Sequence, residues 1–298
     1  MLAPRVAKGL WALPQAALPM MALMNSLHPP PFAADPHDAA VLLKHSDAGS
    51  YWPASIDLAL DAAYQRQLQV RALRVARGER PRGFKIGFTN RGIWPRYQVF
   101  APIWGTLYDS TLQLCDGEGD VALAGTCEPR LEPEAVFGLR ATPPSTLTIQ
   151  SLFDSIEWVA PGFEVVQSHR PDWRFASASD PVADGSLHAR LLVGRRVAVR
   201  DLAADGERLE ALLAAAEVEL LQGERSVERG RGAAVLDGPL HALLHFAQEL
   251  RRCPGAPDLQ PGDVVTTGTW TDAWPVAPGE RWQARFSAPL SQLAVRFS

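Results

Sequence analysis

Cysteine is scarce in this 298-residue sequence, which contains only Cys115, Cys127 and Cys253 and no Cys-x-x-Cys pair. A disulfide scaffold or a thiolate zinc site needs more cysteines at closer spacing, so neither is expected. Isolated cysteines suit a reducing compartment, and we therefore expect a cytoplasmic protein.

A surplus of positive charge is also absent. The formal net charge is −4, the isoelectric point is near 6.0, and the arginines are scattered along the chain. Binding to a phosphate backbone depends on clustered Lys and Arg, so nucleic acid is not an expected partner. With 47% hydrophobic and 21% charged residues, the chain has the composition of a globular protein with a sizeable core.

Long hydrophobic runs are missing as well. The N-terminal stretch "MLAPRVAKGLWALPQAALPMMALMNS" has Arg5 and Lys8 ahead of an apolar run, as in an export signal, but Pro14 and Pro19 interrupt that run. The run is too short to span a bilayer, so no membrane partner is expected. We interpret residues 1–37 as a disordered or mis-started extension that is dispensable for folding, with an export signal as the alternative.

Several familiar catalytic motifs do not occur. Without a Gly-x-Ser-x-Gly or a Gly-x-x-x-x-Gly-Lys segment, serine-hydrolase and nucleotide-triphosphatase chemistry have no support. Gly117, Gly119 and Ala122 in "GEGDVA" match a dinucleotide fingerprint only formally, and a tight hairpin turn is the better interpretation. His241 and His245 share a helix face, but no glutamate lies between them, which argues against a zinc site.

The pattern of hydrophobic residues predicts an α+β fold. Residues 38–105 are expected to form an N-terminal helical portion, with a long helix that starts at Ser55 as its N-cap and stops at Pro81. Residues 106–298 are expected to form a C-terminal catalytic domain rich in β-strands, because short apolar runs alternate there with Gly, Pro and Asp. Within it, "AEVELLQGERSVERG" predicts a hairpin that turns at Gly223, and "GPLHALLHFAQELRRCPG" predicts a helix.

Two glutamates stand close together in "RLEPEAVFGL". Alternate residues of an extended strand point to the same face, so Glu132 and Glu134 face one place. A third, Glu164 in "FEVVQSHRPDW", lies between apolar residues, where a carboxylate without a partner is costly. If the segments meet, three carboxylates favour Mg²⁺ or Mn²⁺ as a ligand; if they do not, the glutamates are strand residues facing solvent.

A set of motifs resembles one family. The segments "GFKIGFTNR", "APIWGTLYD", "EPEAVFGL", "FEVVQSHRPDW" and "PGDVVTTGTWTDAWPVAPGE" occur in the order found in 2-oxopent-4-enoate hydratases and oxalocrotonate decarboxylases of the fumarylacetoacetate hydrolase superfamily. The resemblance runs from about residue 38 to the end. It implies an N-terminal helical portion, a C-terminal mixed β-roll, and a divalent metal held by Glu132, Glu134 and Glu164.

The same resemblance assigns three further residues. Lys85, in "FKIGFT", stands at the position of the family's acid/base lysine, and Thr269 and Thr271, in "TGTWT", stand in a segment that the family uses near the substrate. Taken alone, Lys85 would be a strand-end lysine that reaches water, and the threonines would be ordinary strand hydroxyls.

The function implied by the resemblance is a metal-dependent lyase, a hydratase that acts on a small 2-oxo acid during the breakdown of aromatic rings. The metal would stabilise an enolate formed when a proton leaves C3, and Lys85 would move protons. Because hydration, decarboxylation and C–C hydrolysis share such an intermediate, the last two remain alternatives. A homo-oligomer is also implied, or a complex with a related subunit.

Two positions depart from the family pattern. Ile103 precedes Trp104 and Gly105 where hydratases carry an acid, which puts the hydration step in question. Asp184 matches a family aspartate, but Gly185 follows it in place of an asparagine. The missing acid keeps a non-catalytic subunit, which would support an active homologue, as a second hypothesis.

Overall fold

The structure is a computed structural model that describes residues 38–298, and the extension predicted for residues 1–37 lies outside the described residues. The described residues belong to one compact unit. The described residues combine helices with two mixed β-sheets, which confirms the predicted α+β fold. No helix among the described residues has both the length and the apolar character needed to cross a bilayer.

The described helices are α1 (Ala39–Ala48), α2 (Leu60–Ala76), α3 (Trp94–Tyr97), α4 (Ile149–Ser155), α5 (Ser179–Ala183), α6 (Val199–Leu202), α7 (Gly206–Ala215) and α8 (Pro239–Arg252). Six of them pack in two groups. Helix α2 packs against α1 and α5, and helices α4, α7 and α8 pack against one another.

The larger sheet carries the segments that hold the candidate site. Its strand order is β2-β1-β11-β5-β6-β7-β3, with β12 paired to β5 and β8 paired to β6. Its strands are β1 (Pro81–Gly87), β2 (Ile103–Tyr108), β3 (Leu112–Leu114), β5 (Arg130–Leu139), β6 (Ile156–Val166), β7 (His188–Val193), β8 (Val197–Ala198), β11 (Val264–Thr266) and β12 (Trp274–Pro275).

The smaller sheet has the order β10-β9-β13-β14-β4. Its β9 and β10 form the predicted hairpin, in which Gly223 adopts φ +60°, a conformation that glycine enters without strain. Its strands are β4 (Glu118–Val121), β9 (Glu217–Gln222), β10 (Arg225–Arg231), β13 (Arg281–Phe286) and β14 (Leu293–Phe297).

The main core joins the two sheets to α8. Phe137 of β5, Phe163 of β6, Trp282 of β13 and Phe246 of α8 are all fully buried in one cluster. Helix α8 begins at Pro239, as predicted, because proline lacks the N–H that a first-turn residue leaves unpaired. Each large apolar side chain buried in this way contributes about 1.5–3 kcal/mol.

The structure corrects two local predictions. Helix α2 begins at Leu60 rather than after Ser55, and Ile56 is instead buried in a separate cluster with α5, where its N–H donates to Asp180. The "GEGDVA" segment does turn at Gly117, but it is not a hairpin, because β3 pairs with β7 and β4 pairs with β14.

The predicted division after residue 105 stays a prediction. Strand β2, Ile103–Tyr108, runs across that position and pairs with β1 in the larger sheet. Strand β1 pairs in turn with β11 near the C-terminus, so the larger sheet contains residues from both sides of the predicted boundary.

Candidate active site

Strand pairing brings the three glutamates together. Strands β5 and β6 are antiparallel, and their register sets Glu132 directly opposite Glu164. Glu134 lies two residues along β5, so it shares the face of Glu132. One carboxylate oxygen from each of the three residues lies within 4.8 Å of the others.

Backbone N–H groups hold Glu134 in place. Its Oε2 accepts hydrogen bonds from Thr267 N at 2.9 Å and Gly268 N at 2.6 Å, in the loop that follows β11. Gly268 adopts φ +94°, and a Cβ there would lie 2.1 Å from Thr89 Oγ1, so only glycine fits. The other oxygen, Oε1, is buried without a hydrogen-bond partner among the described residues.

A histidine holds Glu164. His188 Nδ1 lies 2.8 Å from Glu164 Oε1, and the opposite ring nitrogen lies 2.9 Å from Thr111 Oγ1. An ionised carboxylate only accepts hydrogen bonds, so Nδ1–H is the donor of that pair. Glu164 Oε2 is again buried without a hydrogen-bond partner, although it forms an ion pair with Lys85.

Lys85 is a buried cation at the edge of this cluster. It lies on β1, is 2% exposed, and its Nζ is 3.4 Å from Glu164 Oε2. A Cβ on Gly87 would lie 3.2 Å from Nζ, so the glycine two residues along the strand leaves room for the ammonium group. The structure thus places Lys85 beside the carboxylates rather than in solvent.

The titration behaviour of the cluster follows from burial and mutual repulsion. Burial raises the pKa of Glu132 to about 7, and burial together with the charges of Glu164 and Glu132 raises the pKa of Glu134 well above its usual range. Burial also opposes the charge of Glu164, but Lys85 and His188 outweigh it and lower its pKa. Three carboxylates this close do not all ionise together unless a cation balances them.

The pKa values of Lys85 and His188 are shifted in opposite directions. Burial opposes the charge on Lys85, but the three carboxylates outweigh that effect and raise its pKa. Burial lowers the pKa of His188, which favours the neutral ring. The neutral ring carries its proton on Nδ1, which leaves Nε2 to accept from the Thr111 hydroxyl.

The residues present fit a divalent cation. A buried carboxylate oxygen without a hydrogen-bond partner is costly; Glu134 Oε1 has none among the described residues, and Glu164 Oε2 has only the Lys85 ammonium at 3.4 Å. Each belongs to a carboxylate whose other oxygen is anchored by hydrogen bonds, so the bare oxygens are held in position. Hard carboxylate oxygens are the ligands that Mg²⁺ and Mn²⁺ prefer.

A cavity of about 490 Å³ opens beside the cluster, a size that suits a small-molecule ligand. Lys85 and Glu132 line it, as does Arg130, whose guanidinium lies 4.4 Å from the ring centroid of Trp173. Ile103 contributes a fully buried apolar side chain to the wall.

Thr269 and Thr271 also line this cavity. The Thr269 hydroxyl donates to Thr271 O at 2.9 Å, and the Thr271 hydroxyl donates to Asp272 O at 2.9 Å. Both residues therefore line the cavity, and both of their hydroxyls are engaged with the backbone of their own loop.

Asp184, His241 and His245, which the sequence suggested as candidates, lie apart from the carboxylate cluster. Asp184 accepts from the ring and the backbone N–H of His169, at 2.6 and 3.2 Å, and is not among the residues that line the cavity. His241 bonds Glu210 rather than His245. Within residues 38–298, the three glutamates are the one group that could hold a metal through three or more His, Cys, Asp or Glu ligands.

Sequence reasoning missed His188, the backbone cradle at Gly268, and the cavity residues Arg130 and Glu228. The sequence signal for His188 is its place at the start of the largely apolar strand "HARLLV", because a histidine is seldom buried in such a strand. The cradle has no sequence signal beyond a glycine between two threonines, because its partner Glu134 lies 134 residues earlier.

Comparison with known proteins finds relatives over most of the chain, although no family model matches. A 2-hydroxyhexa-2,4-dienoate hydratase from Comamonas testosteroni is 31% identical over 76% of this chain and 82% of its own length. A 2-keto-4-pentenoate hydratase from Dechloromonas aromatica is 32% identical over 83% and 92%. A 4-oxalocrotonate decarboxylase from a Pseudomonas species is 31% identical over 70% and 75%.

Solved structures share the fold. The 4-oxalocrotonate decarboxylase of Pseudomonas putida G7, in complex with magnesium and adipate, superposes with a TM-score of 0.75 at 25% identity over 87% of this chain and 97% of that one. A fumarylpyruvate hydrolase of Pseudomonas aeruginosa, in complex with Mn²⁺ and pyruvate, gives a TM-score of 0.51 at 15% identity over 73% and 89%, and so shares the fold alone.

Proposed function

Since the chain belongs to the family of 2-keto-4-pentenoate hydratases and 4-oxalocrotonate decarboxylases in the fumarylacetoacetate hydrolase superfamily, we propose that its carboxylate cluster and Lys85 carry out hydratase chemistry on a 2-oxo acid. The family predicted from the motifs is confirmed. The protein is a lyase of the hydratase type, and most of its named relatives are hydratases.

The carboxylates of Glu132, Glu134 and Glu164 would hold one divalent cation, Mg²⁺ or Mn²⁺. When bound, the cation supplies Lewis-acid stabilisation of the negative charge that develops on the 2-oxo acid as a proton leaves C3. The anchored oxygens of Glu134 and Glu164 fix where the bare oxygens point, so the carboxylates need little rearrangement on binding.

Lys85 would hold and move a proton at Nζ. The carboxylate field keeps Lys85 protonated, and burial favours its neutral form once that field is balanced. Nζ lines the cavity beside Glu132, so a bound substrate lies within reach of it. A buried lysine amine is suited to general acid/base work when its pKa falls toward neutrality, which here requires a cation to balance the carboxylates that raise it.

Thr269 and Thr271 would bind the substrate carboxylate through their hydroxyls. Each hydroxyl now donates to a backbone carbonyl of the same loop, so each must exchange that bond for one to the substrate. The exchange is local, because a threonine hydroxyl rotates without moving the backbone.

The observation that carries this proposal is the pair of bare oxygens. Glu134 Oε1 and Glu164 Oε2 are fully buried, lack hydrogen-bond partners among the described residues, and converge with Glu132 beside a buried lysine. A stable fold tolerates such a group only where a bound ligand or ion balances it, and the acids here point to a cation.

The first prediction tests the three carboxylates. Glu134→Gln and Glu164→Gln should each weaken Mn²⁺ binding severely, because a cation with three protein ligands has few to spare. Calorimetric titration of the EDTA-treated protein measures this affinity. Glu157→Gln, on the exposed face of the same strand β6, is the control and should bind as the wild type does. Unchanged affinity in both site variants would remove the metal assignment.

Decarboxylation is the second candidate, and Ile103 is the observation that favours it. The cavity wall is apolar where an acid would help to activate water, and a decarboxylase structure superposes well. Product analysis distinguishes the two reactions: carbon dioxide released from an unsaturated 2-oxo diacid marks decarboxylation, whereas a hydroxylated 2-oxo acid marks hydration.

The biological setting is part of the proposal. We place the enzyme in the cytoplasm, in the breakdown of aromatic compounds, as a homo-oligomer or in a complex with a related subunit. The support is the family membership and the absence of disulfides among the described cysteines.

A further inference from the structure

His188 links the carboxylate cluster to a second cavity on the other side of its ring. Nδ1 contacts Glu164 Oε1, and the ring also lines a cavity of about 250 Å³, together with Ser110, Thr111 and Arg190. The residue is 8% exposed, and it also lines a smaller cavity of about 40 Å³.

The two buried glutamates are anchored by different means. Glu134 relies on two backbone N–H groups, which no side-chain substitution removes directly. For Glu164, His188 is the one hydrogen-bond donor that the described residues supply to Oε1. Apart from the ion pair with Lys85 at 3.4 Å, the direction of Oε2 therefore depends on one imidazole.

The surroundings of His188 keep its ring in place. Thr111 Oγ1 contacts Nε2 at 2.9 Å, and Gln167 Nε2 donates to the backbone carbonyl of His188 at 3.3 Å. Thr111 is itself fixed, because its carbonyl accepts from Leu191 N and its hydroxyl oxygen accepts from Tyr108 N at 3.3 Å. A ring held at both nitrogens cannot turn freely away from Glu164.

We propose that His188 is the positioning residue of the metal centre, which holds Glu164 so that Oε2 faces the cation. The proposal rests on the proposed function, because it assumes that Glu164 is a ligand. His188 touches neither substrate nor cation in this arrangement; it acts through Glu164 and Thr111. Groups that hydrogen-bond a metal-binding carboxylate set its direction and basicity.

Three variants separate this role from a purely structural one. His188→Leu keeps the side-chain bulk and removes the donor. His188→Asn keeps an N–H near the position of Nδ1. His188→Gly removes the ring and leaves a hole that joins the cavity of about 250 Å³, through which free imidazole can enter.

The readout is the affinity of the EDTA-treated full chain for Mn²⁺, measured by calorimetry, with thermal melting in EDTA as a check on folding. His188→Leu should bind Mn²⁺ about 10- to 100-fold more weakly than the wild type. His188→Asn should retain most of the affinity. Imidazole should restore binding to His188→Gly, and it should give no gain to the wild type or to His188→Leu, in which the space is filled.

The outcomes distinguish a failure of the proposed metal site from a failure of the positioning role of His188. If the wild type and Glu164→Gln bind Mn²⁺ equally, the proposed function fails and the role of His188 fails with it. If Glu164→Gln loses binding while His188→Leu binds like the wild type, only the positioning role is wrong. Equal losses in the Asn, Leu and Gly variants, with no rescue by imidazole, would also overturn it and leave His188 as a packing residue.

Discussion

Ile103 is the residue of the cavity wall at which the sequence departs from the motif pattern expected of hydratases. A Cβ on Gly87 would lie 3.2 Å from Lys85 Nζ and 3.3 Å from Ile103 Cγ1, so the two side chains are neighbours. An acid at this position would pair with Lys85 and face the cavity. Asp109 does not replace it, because it is exposed at the end of β2 and accepts from Arg80 N.

We predict that Ile103→Asp raises the rate of hydration of 2-hydroxypenta-2,4-dienoate by about 10² to 10⁴, the usual contribution of a general acid or base. Metal-dependent hydrogen exchange at C3 of simple 2-oxo acids should stay nearly unchanged, because it needs only the cation and Lys85. Both rates are measured by NMR. Ile103→Asn, which loses the same packing and gains no base, is the matched control.

A wild type that already hydrates fast, and that Ile103→Asp does not improve, would contradict this prediction. Glu228 and Asp272 also line the cavity, and one of them would then supply the base. Glu228 accepts from Asp272 N and from Trp274 Nε1, so it is held on the wall.

At the scale of elements, the loop between β11 and β12 acts as a backbone clamp on β5. Thr267 and Gly268 donate their N–H groups to Glu134, and the Thr267 hydroxyl donates to Ala135 O. The same loop carries Thr269 and Thr271 into the cavity. One short segment therefore holds the Glu134 carboxylate and carries both threonines, so we expect it to link the proposed metal site to the proposed substrate site.

We predict that Gly268→Ala destabilises the protein by about 1–3 kcal/mol, the usual cost of overpacking, and weakens Mn²⁺ binding. The new Cβ meets Thr89 Oγ1 at 2.1 Å and Thr89 Cβ at 2.9 Å, so Thr89 or the loop must move, and we expect the loop to lose its hold on Glu134. Gly262→Ala is the control: it has φ +87° and open space within 4 Å, so it tests the same backbone strain without the clash. Denaturant titration and calorimetry measure both effects, and equal losses in the two variants would refute the clamp.

At the scale of the whole molecule, the carboxylate cluster that we propose as the metal site lowers the stability of the fold when no cation is bound. The larger sheet gathers β1, β5, β6 and β7 so that Lys85, the glutamates and His188 converge inside it. Placing three acids together in that interior costs free energy in the absence of a cation. A ligand that binds only the folded state offsets this cost. It stabilises the fold by about 2.7 kcal/mol at a ligand concentration 100 times Kd.

We predict that Glu132→Gln melts at a higher temperature than the wild type in EDTA at pH 8. The pKa of Glu132 is raised from 4.5 to about 7, so its stabilising contribution is complete below pH 4.5 and is lost as the pH rises through 7. The gap between variant and wild type should therefore close near pH 5. In saturating Mn²⁺ the order should reverse, because the variant binds the ion weakly. Melting curves at both pH values measure this, and a gap that does not change with pH would contradict it.

The sequence by itself determined the α+β class, the β9–β10 hairpin, helix α8 and the family, because periodicity, turn residues and ordered motifs are local along the chain. It also put Glu132 and Glu134 on one face, since strand alternation is local. Whether Glu164 joins them depends on the register of β5 against β6, and His188 reaches Glu164 only because β7 lies beside β6. Only the tertiary structure decided these pairings, because no local pattern in the sequence specifies which strands lie side by side or in which register.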